Sequence, residues 1–205
     1  MPDLEADLYN LTMSEEAQPL LDAVTKHITD NVDPILEEYQ TLQAEKDDPW
    51  QWHPRQLELL DGAKNKAKES GLWNFFLPDT GQGLSNLDYA YLAVELGKYP
   101  LGSESLNCSA PDTGNMEVLE RVGTPEQKAE WLEPLLRGEI RSAYAMTEPG
   151  LPSSDAKNIR TQAVKDGDEY VINGSKMWIT NGSHAELFSL FAKTDPKAGH
   201  RGITC

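Results

Sequence analysis

The chain has 205 residues, a formal net charge of −16, 39% hydrophobic residues and five tryptophans. That length and apolar content support one or two packed cores and argue against disorder. The acidity excludes the basic footprint that nucleic-acid binding requires, and reads instead as a solvated surface.

Other classes fall away on local grounds. No apolar run reaches the length of a membrane span. The start, Met1-Pro-Asp-Leu-Glu-Ala-Asp, is acidic, unlike a secretory leader or a transit sequence. Cys108 and Cys205 give neither a disulfide framework nor a metal spacing, and the four histidines, His27, His53, His184 and His200, show no ligand pattern. A soluble protein of a reducing, cytoplasmic compartment is the expectation.

In chain order, the first elements are helical. Leu20, Leu21, Val24, Ile28, Val32, Ile35 and Leu36 recur at three- and four-residue steps, the apolar face of one or two helices around Pro34. Pro54 to Ser70 repeats the pattern through Leu57, Leu60, Ala63 and Ala67, with Gly71 as a left-handed stop. Ser85 caps a helix carrying Leu87, Tyr91, Val94 and Leu96, with Asp88 completing an acidic variant of the capping box. Ala110-Pro-Asp-Thr113 starts another helix, Asp112 or Thr113 being its cap. Thr124-Pro-Glu-Gln127 is a cleaner start signal, for a helix burying Trp131, Leu132 and Leu135 before Gly138.

After Arg141 the period becomes two. Thr161 to Val164 and Tyr170 to Ile172 read as strands joined by a turn at Asp166-Gly167-Asp168. Asn173-Gly174 signals a tight hairpin into a strand from Lys176 to Thr180. Asn181-Gly182 marks a further turn before an apolar strand from Leu187 to Ala192. The expected architecture is α+β: an all-α N-terminal domain over 1–140, then the first part of an antiparallel, barrel-like β-domain over 141–205.

Two segments carry chemistry. Tyr144-Ala-Met-Thr-Glu-Pro-Gly-Leu-Pro-Ser-Ser154, closed by Asp155, is followed by Asn173-Gly-Ser-Lys-Met-Trp-Ile-Thr-Asn-Gly182. In this order and at this separation they resemble the two flavin-cradling segments of the acyl-CoA dehydrogenase family, and the resemblance runs over essentially the whole chain. Gly71-Leu-Trp-Asn-Phe-Phe-Leu-Pro78 with its Gly-rich turn, and Asn107-Cys-Ser-Ala-Pro-Asp-Thr-Gly-Asn-Met116, are similar to the branch holding mammalian family members ten and eleven. The single tryptophan of Lys176-Met-Trp-Ile-Thr-Asn181 departs from the Trp-Trp pair of that branch.

The resemblance implies FAD as cofactor and dehydrogenation of an acyl-CoA thioester to the trans-2-enoyl-CoA. It also implies an electron-transfer flavoprotein as partner and a homodimer or homotetramer as assembly. By the same resemblance Tyr144, Met146 and Thr147 contact the isoalloxazine and its pyrimidine side, Trp178 packs against the ring, and Thr180 bonds near N5. Ser153 and Ser154 lie beside phosphate oxygens of the cofactor or of CoA, which free backbone N–H groups suit. Ser109 and Gly114 fall where the family lines its acyl pocket. The family's catalytic base is a glutamate of a C-terminal helical domain, so these residues form a portion without a base. An acyl-CoA oxidase of the same fold, or a non-catalytic partner of a full-length dehydrogenase, are the alternatives.

Glu148 has a plainer reading, a structural hydrogen-bonding carboxylate, and Asp155 a turn-forming one. Cys108 reads as a small buried hydrophobe.

Overall fold

A computed structural model describes residues 11–77, 84–152 and 155–205. Packing groups the chain into two compact units, Met1–Ser109 and Ala110–Cys205.

The first unit is helical: α1 (Gln18–His27), α2 (Leu36–Ala44), α3 (Pro54–Glu69), α4 (Asn86–Leu96) and the short α5 (Gly102–Ser105). Its core joins Leu20, Val24, Ile28 and Val32 to Ala63 and Ala67 of α3 and Leu92 and Leu96 of α4. Between α1 and α2 the chain stays helical through Pro34 by widening into a π-turn at Ile28–Val32, where the Asp33 amide reaches back to the Ile28 carbonyl. The wider turn precedes a residue that has no N–H to continue an α-ladder. His53 and Gln56 form a reciprocal capping box on α3. Gly71 ends that helix at φ +70, with Gly71 N donating to Lys68 O at 3.1 Å and Leu72 N to Ala67 O at 2.9 Å, the Schellman pattern.

Two helix faces differ from the sequence reading. Leu57, Tyr91 and Val94 are exposed, whereas Gln56, Leu59 and Leu92 are buried. A fully buried glutamine breaks apolar periodicity because its amide is satisfied internally, donating to Tyr39 O and Gln43 Oε1. Asp88 does not close a box on Ser85; its carboxylate accepts from the Ser14 amide and the Ser85 hydroxyl. The Pro78 end of the Gly71–Pro78 motif and its Gly-rich turn lie outside the described residues.

The second unit opens with α6 (Asp112–Val122), α7 (Pro125–Gln127), a π-turn at Lys128–Leu132 and α8 (Glu133–Arg137). Here too the π-turn precedes a proline, Pro134. Thr124 and Gln127 form the expected capping box, and Gly138 ends α8 at φ +69. Leu132 and Leu135 are buried as expected, but Trp131 is only half-buried.

Among the described residues six strands follow: β1 (Ser142–Ala145), β2 (Gln162–Asp166), β3 (Glu169–Asn173), β4 (Leu187–Leu190), β5 (Ala192–Lys193) and β6 (Ile203–Thr204). A helical domain followed by a partial sheet domain is thus the observed class. The pairing, however, is mixed. β1 and β4 form one two-stranded parallel sheet, with Ser142 opposite Leu187 and Ala145 opposite Leu190. The other sheet runs β3-β2-β5-β6; β2/β3 and β5/β6 are antiparallel and β2/β5 parallel. The change from helix to strand near residue 141 and the division by packing fall at different places because α6 packs on β1.

No strand forms from Lys176 to Thr180, and Asn173-Gly174 makes no hairpin. Gly174 instead passes so close to Thr161 that a Cβ on it would lie 2.3 Å from the Thr161 hydroxyl oxygen. The segment beyond it becomes an ordered loop, fixed by side-chain contacts in place of a ladder.

Candidate functional site

The site is built on β1 and the residues that follow it. Ser142, Ala143 and Ala145 are small and buried, while Tyr144 points outward at 44% exposure. The Tyr144 ring packs on Phe191 with centroids 4.8 Å apart.

A polar cluster holds β1 from beneath. Asp112 Oδ1 accepts from both the Ser142 amide and the Ser142 hydroxyl at 2.6 Å, and Asp112 Oδ2 pairs with Arg141 Nε at 2.8 Å. Asn115 Nδ2 donates to Ser142 Oγ at 2.9 Å and Ala143 O at 3.2 Å. Asp112 is therefore not the helix cap; Pro111 occupies that position without a side-chain bond, and the Asp112 carboxylate faces the strand.

Past β1, Met146 and Thr147 are half-buried and Glu148 is only 4% exposed. Glu148 Oε2 accepts from Arg160 N at 2.5 Å; Glu148 Oε1 accepts from Thr161 N at 2.9 Å and from the Lys176 ammonium at 3.0 Å. Burial opposes the charged carboxylate, but the Thr161 hydroxyl, the Arg160 and Thr161 amides and Lys176 outweigh it and hold the Glu148 pKa down at about 2. The structural reading of Glu148 is what the contacts show. Asp155 likewise serves a turn, with the Asn158 amide and side chain both returning to it.

The Lys176 loop runs alongside this segment. Lys176 Nζ also donates to Met146 O at 3.0 Å, and Met177 N donates to Thr147 O at 2.9 Å. Asn181, at φ +64, sends its side-chain amide to Ser142 O at 2.9 Å. Between these anchors Trp178 sits at φ +61, a left-handed conformation uncommon for a bulky side chain, and its indole is 80% exposed. Thr180 is exposed too.

Of the residues singled out in the sequence, Met146, Thr147 and Trp178 lie on two segments joined by the Met177–Thr147 backbone bond and the Lys176 side-chain bond to the Met146 carbonyl, and Tyr144 and Thr180 belong to the same two segments. Ser153 and Ser154 lie outside the described residues. Ser109 ends the first unit, half-buried; Gly114 is an exposed position of α6 in the second, with open space where a Cβ would stand. Cys108 is buried, and burial pushes its thiol pKa up to about 12, as suits a packing residue. Among the described residues no group of three or more His, Cys, Asp or Glu could hold a metal ion.

Lys176, Asp112, Asn115, Arg141 and Asn181 were not visible as site-building residues in the sequence. The one available signal was a lysine two residues before the tryptophan; its acidic partner lies 28 residues earlier, beyond any local periodicity.

The exposed groups suit a flat heterocycle with polar edges. Trp178 and Tyr144 offer aromatic surface, and the Thr147 and Thr180 hydroxyls have no hydrogen-bond partner among the described residues. A flavin ring has that chemistry, an apolar face bordered by carbonyls and ring nitrogens.

The chain as a whole is similar to known proteins. Residues 14–139 match the family model "Acyl-CoA dehydrogenase, N-terminal domain", and residues 143–205 match "Acyl-CoA dehydrogenase, middle domain". The chain is 45% identical over 196 residues to mouse acyl-CoA dehydrogenase family member 10, covering 91% of this chain and 18% of that protein. Among solved structures, an acyl-CoA dehydrogenase from Mycobacterium abscessus superposes with a TM-score of 0.79 at 43% identity, over 90% of this chain and 47% of that one. A structure described as PigA with FAD and proline gives a TM-score of 0.69 at 27% identity, over 94% of this chain and 47% of that one. The chain therefore spans less than half the length of each of these relatives.

Proposed function

This chain belongs to the acyl-CoA dehydrogenase family, and from that premise we propose that the protein carrying it dehydrogenates an acyl-CoA thioester to the trans-2-enoyl-CoA with FAD as cofactor. The observation that carries this reading is the register between the Tyr144–Glu148 segment and the Trp178 loop, set by the Met177–Thr147 backbone bond and by Lys176. The chemistry FAD supplies when bound is acceptance of a hydride from the acyl β-carbon.

The residues of this chain bind and orient. In the proposal Tyr144, Met146 and Thr147 border the pyrimidine edge of the isoalloxazine, Trp178 covers the ring and excludes water from it, and Thr180 donates its hydroxyl near N5. Ser153 and Ser154 belong to the phosphate or CoA side, and Ser109 and Gly114 to the acyl chain. Glu148 is not the base for the α-proton: it is buried and accepts from the Arg160 and Thr161 amides and the Lys176 ammonium, and a carboxyl held at about 2 is a weak proton acceptor at neutral pH. That base belongs, on this reading, to a part of the protein beyond these residues. Electron-transfer flavoprotein is the proposed acceptor of the electrons and a homo-oligomer the proposed assembly.

Flavin content tests the reading. The full-length protein should retain one FAD per chain, and Trp178→Ala should weaken FAD binding roughly fivefold to a hundredfold, since base–aromatic stacking contributes about 1–3 kcal/mol. Its thermal stability should change little, because the indole is exposed. A protein that neither retains nor binds FAD would contradict the assignment.

A further inference from the structure

Three irregular segments meet at one carboxylate. Glu148 comes from the end of β1, Arg160 and Thr161 from the approach to β2, and Lys176 from the loop after β3. Lys176 is itself buried, its side chain 10% exposed against 4% for Glu148, and it reaches the Met146 carbonyl as well. We propose that the buried Lys176–Glu148 pair is a positioning device that sets the Trp178 loop against Met146 and Thr147, and so fixes the geometry in which the flavin is held. The inference rests on the flavoprotein reading above.

The physical argument is one of specificity over stability. A buried ion pair loses much of its attraction to desolvation, and an apolar pair of similar volume often stabilises as well or better. What apolar contact lacks is direction. The Lys176 ammonium, shared between a carbonyl and a carboxylate, fixes the loop laterally, and the two amides on Glu148 fix the carboxylate in turn. No ladder performs this task, since residues 174–180 form no strand. Trp178, two residues beyond Lys176, adopts a left-handed backbone that an unanchored loop would tend to relax. A loop shifted by about 1 Å would leave the fold intact yet misplace the indole relative to Met146 and Thr147, and displacements of that size carry large functional penalties.

The experiment uses the full-length protein with Lys176→Met, Lys176→Arg and Glu148→Gln. Apo-protein is titrated with FAD, and the visible circular dichroism and midpoint potential of the bound flavin are recorded beside far-ultraviolet dichroism. Lys176→Met should weaken FAD binding at least about tenfold and alter the flavin dichroism with the secondary-structure signal unchanged. Lys176→Arg should restore part of both. The Lys176→Met/Glu148→Gln double variant should lose less than the two single losses combined, as expected of residues that act as a pair. Wild-type affinity, dichroism and potential in folded Lys176→Met and Glu148→Gln would overturn the positioning role while leaving the flavoprotein reading standing. Should Lys176→Met fail to fold, Glu148→Gln, nearly isosteric, decides on the same readouts. A wild-type protein that binds no FAD overturns both readings together.

Discussion

Glu148 shows how a single residue links burial, charge and pH. Its folded-state pKa of about 2 lies below the ordinary value of 4.5. A depressed carboxyl stabilises the fold above its unfolded value, and that contribution is lost as the pH falls from about 4.5 toward 2. The gap, at about 1.4 kcal/mol per pH unit, corresponds to about 3 kcal/mol. Glu148→Gln should therefore lower stability at pH 7 and flatten its decline between pH 5 and 2, as denaturant titrations at a series of pH values would reveal; an unchanged acid limb would refute the assignment. The carboxylate's structural character is readable only through the resemblance, which gives the acid no catalytic part; its place beside Pro149 does not reveal it. Its partners are not readable, because Arg160, Thr161 and Lys176 reach it through tertiary folding. The same holds for Asp112, which local rules assign to a helix cap and which the fold turns toward Ser142 and Arg141.

Elements were most legible where the signal is local and stereochemical. The Thr124–Gln127 capping box and the left-handed Gly71 stop stand where the sequence puts them, and the helix expected before Gly138 ends there. The turn at Asp166-Gly167-Asp168 likewise joins β2 to β3, with Gly167 at φ +61. Legibility failed where tertiary contact replaces local preference. Asn173-Gly174 is a strong hairpin signal, yet no following strand pairs back, because Lys176 and Met177 bond to the β1 end. Two glycines separate these causes. Gly71 needs its positive φ but has open space around a Cβ, so Gly71→Ala should cost about 1 kcal/mol. In Gly174→Ala the new Cβ would also meet the Thr161 Cα at 2.7 Å, a backbone atom that cannot swing away. That variant should cost more, about 2–3 kcal/mol by overpacking, and should loosen the Lys176 loop. Thermal unfolding of the two side by side checks the order; equal or inverted losses would contradict the close approach.

For the whole molecule, the class of a helical domain followed by a partial sheet domain was legible because the hydrophobic period changes from about 3.6 to 2 near Arg141. Strand pairing was not: period two says which face a residue takes, and not whether the neighbouring strand runs parallel. The second unit retains an apolar concavity of about 290 Å³ on its sheets, bordered by Tyr170, Ile172, Phe188 and Leu190. Tyr170, Ile172 and Phe188 are exposed there. The site follows the same division. Its aromatic and hydroxyl residues stand out in the sequence as two motifs, while the buried groups that set those motifs in register emerge only from the fold. Anaerobic titration of the full-length, FAD-loaded protein with a panel of acyl-CoA thioesters decides whether this register serves the proposed acyl-CoA dehydrogenation. At least one saturated acyl-CoA should bleach the flavin's visible absorbance while an equivalent of trans-2-enoyl-CoA forms. A loaded, folded protein whose spectrum no acyl-CoA reduces would contradict it.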